Sequence, residues 1–103
     1  MMRPVIYEFK VERLGQESGT AVPAMPLHKL SGVLGRGHDC DYVLTDDDRI
    51  LSRRHAEIKQ VNGQVHWTDL GINASQLGGV PLIRGSRQTL RVGDQVHAGP
   101  FVL

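Results

Sequence analysis

The chain has 103 residues, 40% of them hydrophobic, 22% charged and 5% aromatic, with twelve Lys and Arg against eleven Asp and Glu for a formal net charge of +1. That length is one domain able to bury its own core, too small for a two-domain enzyme or a large cofactor site. Balanced charge and ordinary apolar content argue against a disordered chain and a dedicated nucleic-acid binder, and the lone Cys40 excludes a disulfide scaffold.

Val5 to Val11 alternates, with Val5, Tyr7, Phe9 and Val11 apolar and Glu8 and Lys10 between them, the period-two mark of a strand with one buried face. Gly15 to Pro26, rich in Gly, Ser, Thr and Pro, reads as a long loop. Leu30 to Leu34, ending at Gly35, and Tyr42 to Leu44 are apolar stretches too short for helices. Ala56 to Val61 and Val65 to Thr68 flank Asn62-Gly63, a pair that tolerates the positive φ angles of a type I′ hairpin turn. Gly71, Gly78-Gly79, Gly85, Gly93-Asp94 and Gly99-Pro100 punctuate the rest. Short strands with frequent turn signals predict an all-β sandwich or barrel.

A competing reading makes Asp46 to Gln60 a helix capped by Thr45, with acids in its first turn. Leu51, His55, Ile58 and Val61 would then share a face, and Arg49, Arg53 and Arg54 a basic surface. A helix-turn-helix would need a partner helix, which the pattern lacks, so a loop is the favoured reading. No apolar run reaches the ~18–20 residues of a membrane helix, and no signal pattern opens the chain. The expected location is cytoplasmic, without membrane insertion.

From Gly35 onward the chain resembles forkhead-associated (FHA) domains. The likeness is carried, in family order, by Gly35-Arg36, Asp41-Tyr42-Val43-Leu44, Ser52-Arg53-Arg54-His55-Ala56, Asp69-Leu70-Gly71, Asn73, Leu90, and Gly93-Asp94 with Gly99, and spans roughly Leu30 to Leu103. It implies a β-sandwich of two mostly antiparallel sheets that reads phosphothreonine peptides through loops at one end, without catalysis. By that resemblance Arg36 is the arginine of the first binding loop, in contact with the phosphate or the peptide beside it. Ser52 supplies a hydroxyl hydrogen bond to the phosphate, and Arg53 faces the ligand. Asn73 holds the peptide backbone. Gly35 and His55 support the loops structurally. The chemistry of these residue types agrees with such a ligand. Phosphothreonine carries roughly −1.5 to −2 charge and three strong acceptor oxygens, and the planar arginine fork matches phosphate.

The chain departs from the family pattern after Asp69-Leu70-Gly71. Gly71-Ile72-Asn73-Ala74-Ser75 is one residue short, Ile72 brings no hydroxyl, and Ala74 stands in place of a glycine. The phosphate half of the expected site is intact and the peptide half altered, which motivates an alternative: a phosphorylation-independent scaffold on the same fold. The Asp/Arg-rich text from Leu44 to His55 is similar to FHA proteins associated with bacterial type VI secretion. There the domain heads a longer chain, so residues 1–103 are expected to be a single N-terminal domain whose last strand is cut short at Phe101-Val102-Leu103.

Other chemistries are weaker. Gly37-His38-Asp39-Cys40-Asp41 groups metal-ligand types, but neighbours on a strand face opposite ways and no second Cys/His pair sits at zinc spacing. Ser52, His55 and Asp69 bring triad residue types without a nucleophile elbow. The expectation is no catalytic residue, no metal, no cofactor and no nucleic acid, the partner being a phosphothreonine-containing protein or peptide made by a Ser/Thr kinase.

Overall fold

The computed structural model describes residues 7–13, 24–45 and 49–103. The regular elements among them are all strands: β1 (Glu8–Phe9), β2 (Glu12–Arg13), β3 (Met25–Pro26), β4 (Ser31–Gly35), β5 (Tyr42–Val43), β6 (Ala56–Val61), β7 (Gln64–Asp69), β8 (Gln76–Leu77), β9 (Val80–Pro81), β10 (Arg87–Leu90), β11 (Val96–Ala98) and β12 (Phe101–Val102). One five-stranded sheet runs in the order β10-β7-β6-β4-β5 and another β2-β12-β11-β8-β9, with β1 and β3 as a separate pair. Among these pairings, β4 and β5 run parallel. The turn spacing predicts an all-β sandwich or barrel, and the family resemblance implies the sandwich; the all-β architecture is observed, with two five-stranded sheets. The competing helix does not form, since Ala56–Val61 is a strand; its expected first turn, Asp46 to Asp48, lies outside the described residues. Among the described residues no helix is long and apolar enough to cross a membrane.

The central hairpin shows how the sequence specifies the fold. Asn62 at φ 51° and Gly63 at φ 76° both take the left-handed conformation that a type I′ turn demands. The turn sets the register from Val61 opposite Gln64 to Ala56 opposite Asp69. That register puts Ala56, Ile58, Val65 and Trp67 into the interior. There they meet Leu34, Tyr42 and Leu51, and from the other sheet Val96, Ala98 and Phe101. Trp67, Leu34 and Ile58 are fully buried, each side chain of this size contributing roughly 1.5–3 kcal/mol or more. Phe9 meets Trp67 edge-on at 6.1 Å between ring centres.

The N-terminal alternation is present, with Tyr7, Phe9 and Val11 half-buried and Glu8, Lys10 and Glu12 exposed. Among its described residues the predicted strand is regular only over Glu8–Phe9, and a second short strand, Glu12–Arg13, follows just beyond its predicted end at Val11. Glu8–Phe9 pairs with Met25–Pro26, whereas Glu12–Arg13 pairs with Phe101–Val102. A period of two dictates which face is buried and leaves the choice of partner open. Val5 lies outside the described residues, as do Gly15 to Pro23 of the predicted loop; Met25–Pro26 at its end is a strand.

Candidate functional site

The strand register gathers three loops at one end of the sandwich. Leu34 near the end of β4 lies opposite Ala56, which opens β6, and Ala56 lies opposite Asp69, which closes β7. The loops over residues 36–41, 49–55 and 70–75 therefore emerge side by side. Backbone bonds extend the pairing into them. The Arg36 N–H donates to Ser52 C=O at 3.2 Å, Gly37 N–H to Arg53 C=O at 3.1 Å, His55 N–H to Leu34 C=O at 2.8 Å and Leu70 N–H to His55 C=O at 2.7 Å. Gly35 stands where the first two loops meet: a Cβ there would fall 2.0 Å from the Arg53 carbonyl oxygen, so any side chain would force the backbones apart.

Three of the expected site residues converge on residues 50–52. Arg36 is half-buried and its Nε donates to the Leu51 carbonyl at 3.0 Å, laying the guanidinium along the second loop. Ser52 Oγ accepts the Ile72 N–H at 3.0 Å, joining the second loop to the third. Asn73 is exposed, and its Nδ2 donates to the Ile50 carbonyl at 3.1 Å. Arg53 is adjacent but differently held. Its side chain is exposed, and its carbonyl accepts from Gly37 N–H and from the Cys40 thiol at 2.9 Å. Among the described residues no hydrogen bond joins the Arg53 side chain to the other three.

Beneath these loops lies a buried polar chain. The Ser52 backbone N–H donates to His55 Nδ1 at 3.1 Å. A backbone N–H only donates, so Nδ1 is the bare nitrogen and the neutral ring carries its proton on Nε2. Nε2 lies 2.9 Å from Ser75 Oγ, which in turn donates to Asp69 Oδ1 at 2.6 Å. Trp67 Nε1 donates to the same oxygen at 3.2 Å, and the Ser75 N–H donates to Oδ2 at 3.1 Å. Three donors offset the cost of holding a carboxylate fully out of water. Burial pushes the His55 pKa below its ordinary value, while the Asp69 charge pulls the other way and loses. The neutral ring is the form this geometry needs.

This arrangement answers the triad possibility by geometry. His55 meets the backbone of Ser52, not its hydroxyl, and the hydroxyl it does meet, on Ser75, is fully buried. The chain positions a loop. Sequence reasoning missed Ser75 altogether: its one signal was that a buried Asp69 must find donors nearby, and nothing in the text says which. Two of the residues with metal-ligand chemistry, Cys40 and Asp41, are engaged elsewhere. Asp41 takes Lys29 Nζ at 2.6 Å and the Val33 N–H at 2.9 Å, and the Lys29 bond holds its carboxyl below the usual range. Burial pushes the Cys40 thiol up. Among the described residues no group of three His, Cys, Asp or Glu is placed to hold a metal ion.

No curated protein sequence matches the chain. Solved structures do. The FhaA FHA domain, complexed with the intracellular domain of Rv3910, is 25% identical with a TM-score of 0.70, over 95% of this chain and 96% of that one. An FHA domain from an analysis of phosphothreonine-dependent interactions is 25% identical with a TM-score of 0.70, over 89% and 88%. Mycobacterium tuberculosis EmbR, in complex with a low-affinity phosphopeptide, is 27% identical with a TM-score of 0.69, over 78% of this chain and 20% of EmbR. The FHA domain family model matches residues 32–99, which takes in nearly all of β4 to β11 and all three loops, and the chain belongs to the FHA domain family.

Proposed function

We propose that the chain is a non-catalytic module that binds phosphothreonine peptides at the three-loop end, with Arg36, Ser52, Arg53 and Asn73 on the ligand and Gly35 and His55 supporting them. The observation that carries this reading is the hydrogen bonding of Arg36 and Ser52. Arg36 spends only Nε on Leu51, and its two terminal NH2 groups have no partner among the described residues. Ser52 Oγ is an acceptor toward Ile72, which leaves its own proton to donate. Two adjacent donors, one of them a guanidinium, suit an acceptor of roughly −1.5 to −2 charge. Charge-assisted bonds of this kind contribute roughly 1.5–3 kcal/mol each. The phosphothreonine-dependent FHA domain and the EmbR phosphopeptide complex give the same direction by similarity.

Asn73 keeps its Oδ1 and one amide proton for a peptide backbone while bracing Ile50. We extend the reading to bacterial signalling or secretion-system regulation in the cytoplasm, with residues 1–103 as one domain at the head of a longer protein, on the text from Leu44 to His55. The test is calorimetric titration with a degenerate phosphothreonine peptide pool and its unphosphorylated counterpart. The reading requires heat from the phosphorylated pool alone. A second reading, a phosphorylation-independent docking scaffold on the same fold, is favoured by the exposed Ile72 in the altered third loop, and it requires equal binding with and without phosphate.

A further inference from the structure

Among the described residues, the edges of the two five-stranded sheets are β10 and β5, and β2 and β9. They are not alike. β5 and β2 have two residues each, and β9 carries Pro81, which has no N–H to offer. β10 has four residues and no proline, and it pairs on one side only, with β7. In an antiparallel pair alternate residues turn their N–H and C=O groups to the partner, so the others in β10 turn theirs to the open edge.

The register also assigns the two faces of β10. Gln88 lies opposite the fully buried Trp67 and Leu90 opposite Val65, on the core side. Arg87 lies opposite Thr68 and Thr89 opposite His66, on the outer side. Leu90 is half-buried and borders a groove with Phe9, Leu27, Val65 and Val102. From Arg84 to Arg91 there are three arginines and no acid. All three are exposed, and among the described residues none of their side chains makes a hydrogen bond or an ion pair.

We propose that the open edge of β10 takes an extended acidic segment of a partner protein as an added strand. Acidic residues at alternate positions meet Arg87 and Arg91, and the apolar residues between them face Leu90 and the groove. Main-chain hydrogen bonds to a sheet edge hold such a segment, and alternate side chains select it. Opposite charges on neighbouring strands attract, and like charges repel. A second copy of the chain is therefore a poor occupant, because β10 against β10 sets arginine beside arginine with no acid on either strand. The site needs no phosphate and stands or falls apart from the phosphothreonine reading.

The experiment is fluorescence anisotropy with labelled peptides of Glu and Val in strict alternation. A block peptide of the same composition, all Glu before all Val, and a Lys-Val alternation are run beside them. The expected result is that the Glu-Val alternation binds at least about tenfold tighter than either. In the double variant Arg87→Glu, Arg91→Glu that advantage falls below about twofold, and in the milder Arg87→Gln it falls about threefold; denaturation midpoints confirm that these exposed substitutions leave the fold in place. With bound peptide the Arg87 to Leu90 amides shift, and hydrogen exchange slows at alternate residues among them. No binding of the Glu-Val alternation overturns the proposal and leaves the arginines as guards of the edge. Equal binding of the block peptide shows attraction by charge alone and overturns strand addition. A preference that survives the double variant, or shifts confined to Arg36, Ser52 and Asn73, overturns the assignment to β10.

Discussion

Replacing Ser75 with alanine removes one buried oxygen and two hydrogen bonds. The hydroxyl donates to Asp69 Oδ1 at 2.6 Å and sits 2.9 Å from His55 Nε2, and all three side chains are fully buried. Buried away from bulk solvent, the His55 N–H loses its acceptor, which costs roughly 1–3 kcal/mol, and the carboxylate loses a charge-assisted donor of similar worth. The carboxylate is not stranded, because Trp67 Nε1 still reaches Oδ1 and the residue-75 N–H still reaches Oδ2. The expected loss is therefore about 3 kcal/mol, a large part of the roughly 5–15 kcal/mol that stabilises a typical domain. Urea denaturation followed by Trp67 fluorescence measures it. With a slope of about 1.5 kcal/mol per molar, the midpoint falls by about 2 M at unchanged slope. Ser86→Ala, at an exposed position, serves as control and stays within about 0.5 kcal/mol. If Ser75→Ala behaves like the control, the buried chain does not hold these loops.

Three further outcomes are expected. Because burial lowers the His55 pKa in the folded state, the unfolded chain binds more protons between the ordinary histidine value of about 6.5 and that lower one. Stability is therefore fully present above about pH 6.5 and declines as pH falls toward the folded pKa; denaturation curves at constant ionic strength that strengthen on acidification over this interval would contradict it. Gly35→Ala drives a methyl into the Arg53 carbonyl and costs about 1–3 kcal/mol or more, so a melting temperature equal to the parent's would show the loops to be freer than described. Arg36→Lys keeps the charge but loses the fork and the Nε bond to Leu51, and affinity for a phosphothreonine pool drops at least about fivefold; undiminished affinity would mean that the guanidinium geometry is not used.

The hairpin at Asn62-Gly63 was legible because local chemistry decides it: two positive φ angles permit one turn, and the turn sets the register of β6 and β7. Motif order names Arg36, Ser52 and Asn73 together as expected ligand contacts, and their convergence on residues 50–52 follows from the antiparallel register that puts Leu34, Ala56 and Asp69 in a row. The presence of a second short strand at Glu12–Arg13, beyond the predicted Val5 to Val11, was not legible. Tyr7, Phe9 and Val11 show which side faces the core, whereas the partners, Met25–Pro26 and Phe101–Val102, are chosen by the tertiary arrangement. Ser75 was hidden for a related reason. A serine in a polar turn looks like any other until the fold closes over it and makes its hydroxyl the link between His55 and Asp69. The text also shows Ile72 as a missing hydroxyl, and only the structure shows that its N–H is bonded to Ser52 Oγ while its side chain is left in the open.

The proposed reading of phosphate where the three loops meet is open to one decisive experiment. Amide chemical shifts are recorded during titration with a phosphothreonine peptide pool and with the same pool unphosphorylated. The amides of Arg36, Gly37, Ser52, Arg53, Ile72 and Asn73 are expected to move with the phosphorylated pool and to stay still with the other. Shifts confined to the far end of the sandwich, or identical shifts with both pools, would contradict the proposal.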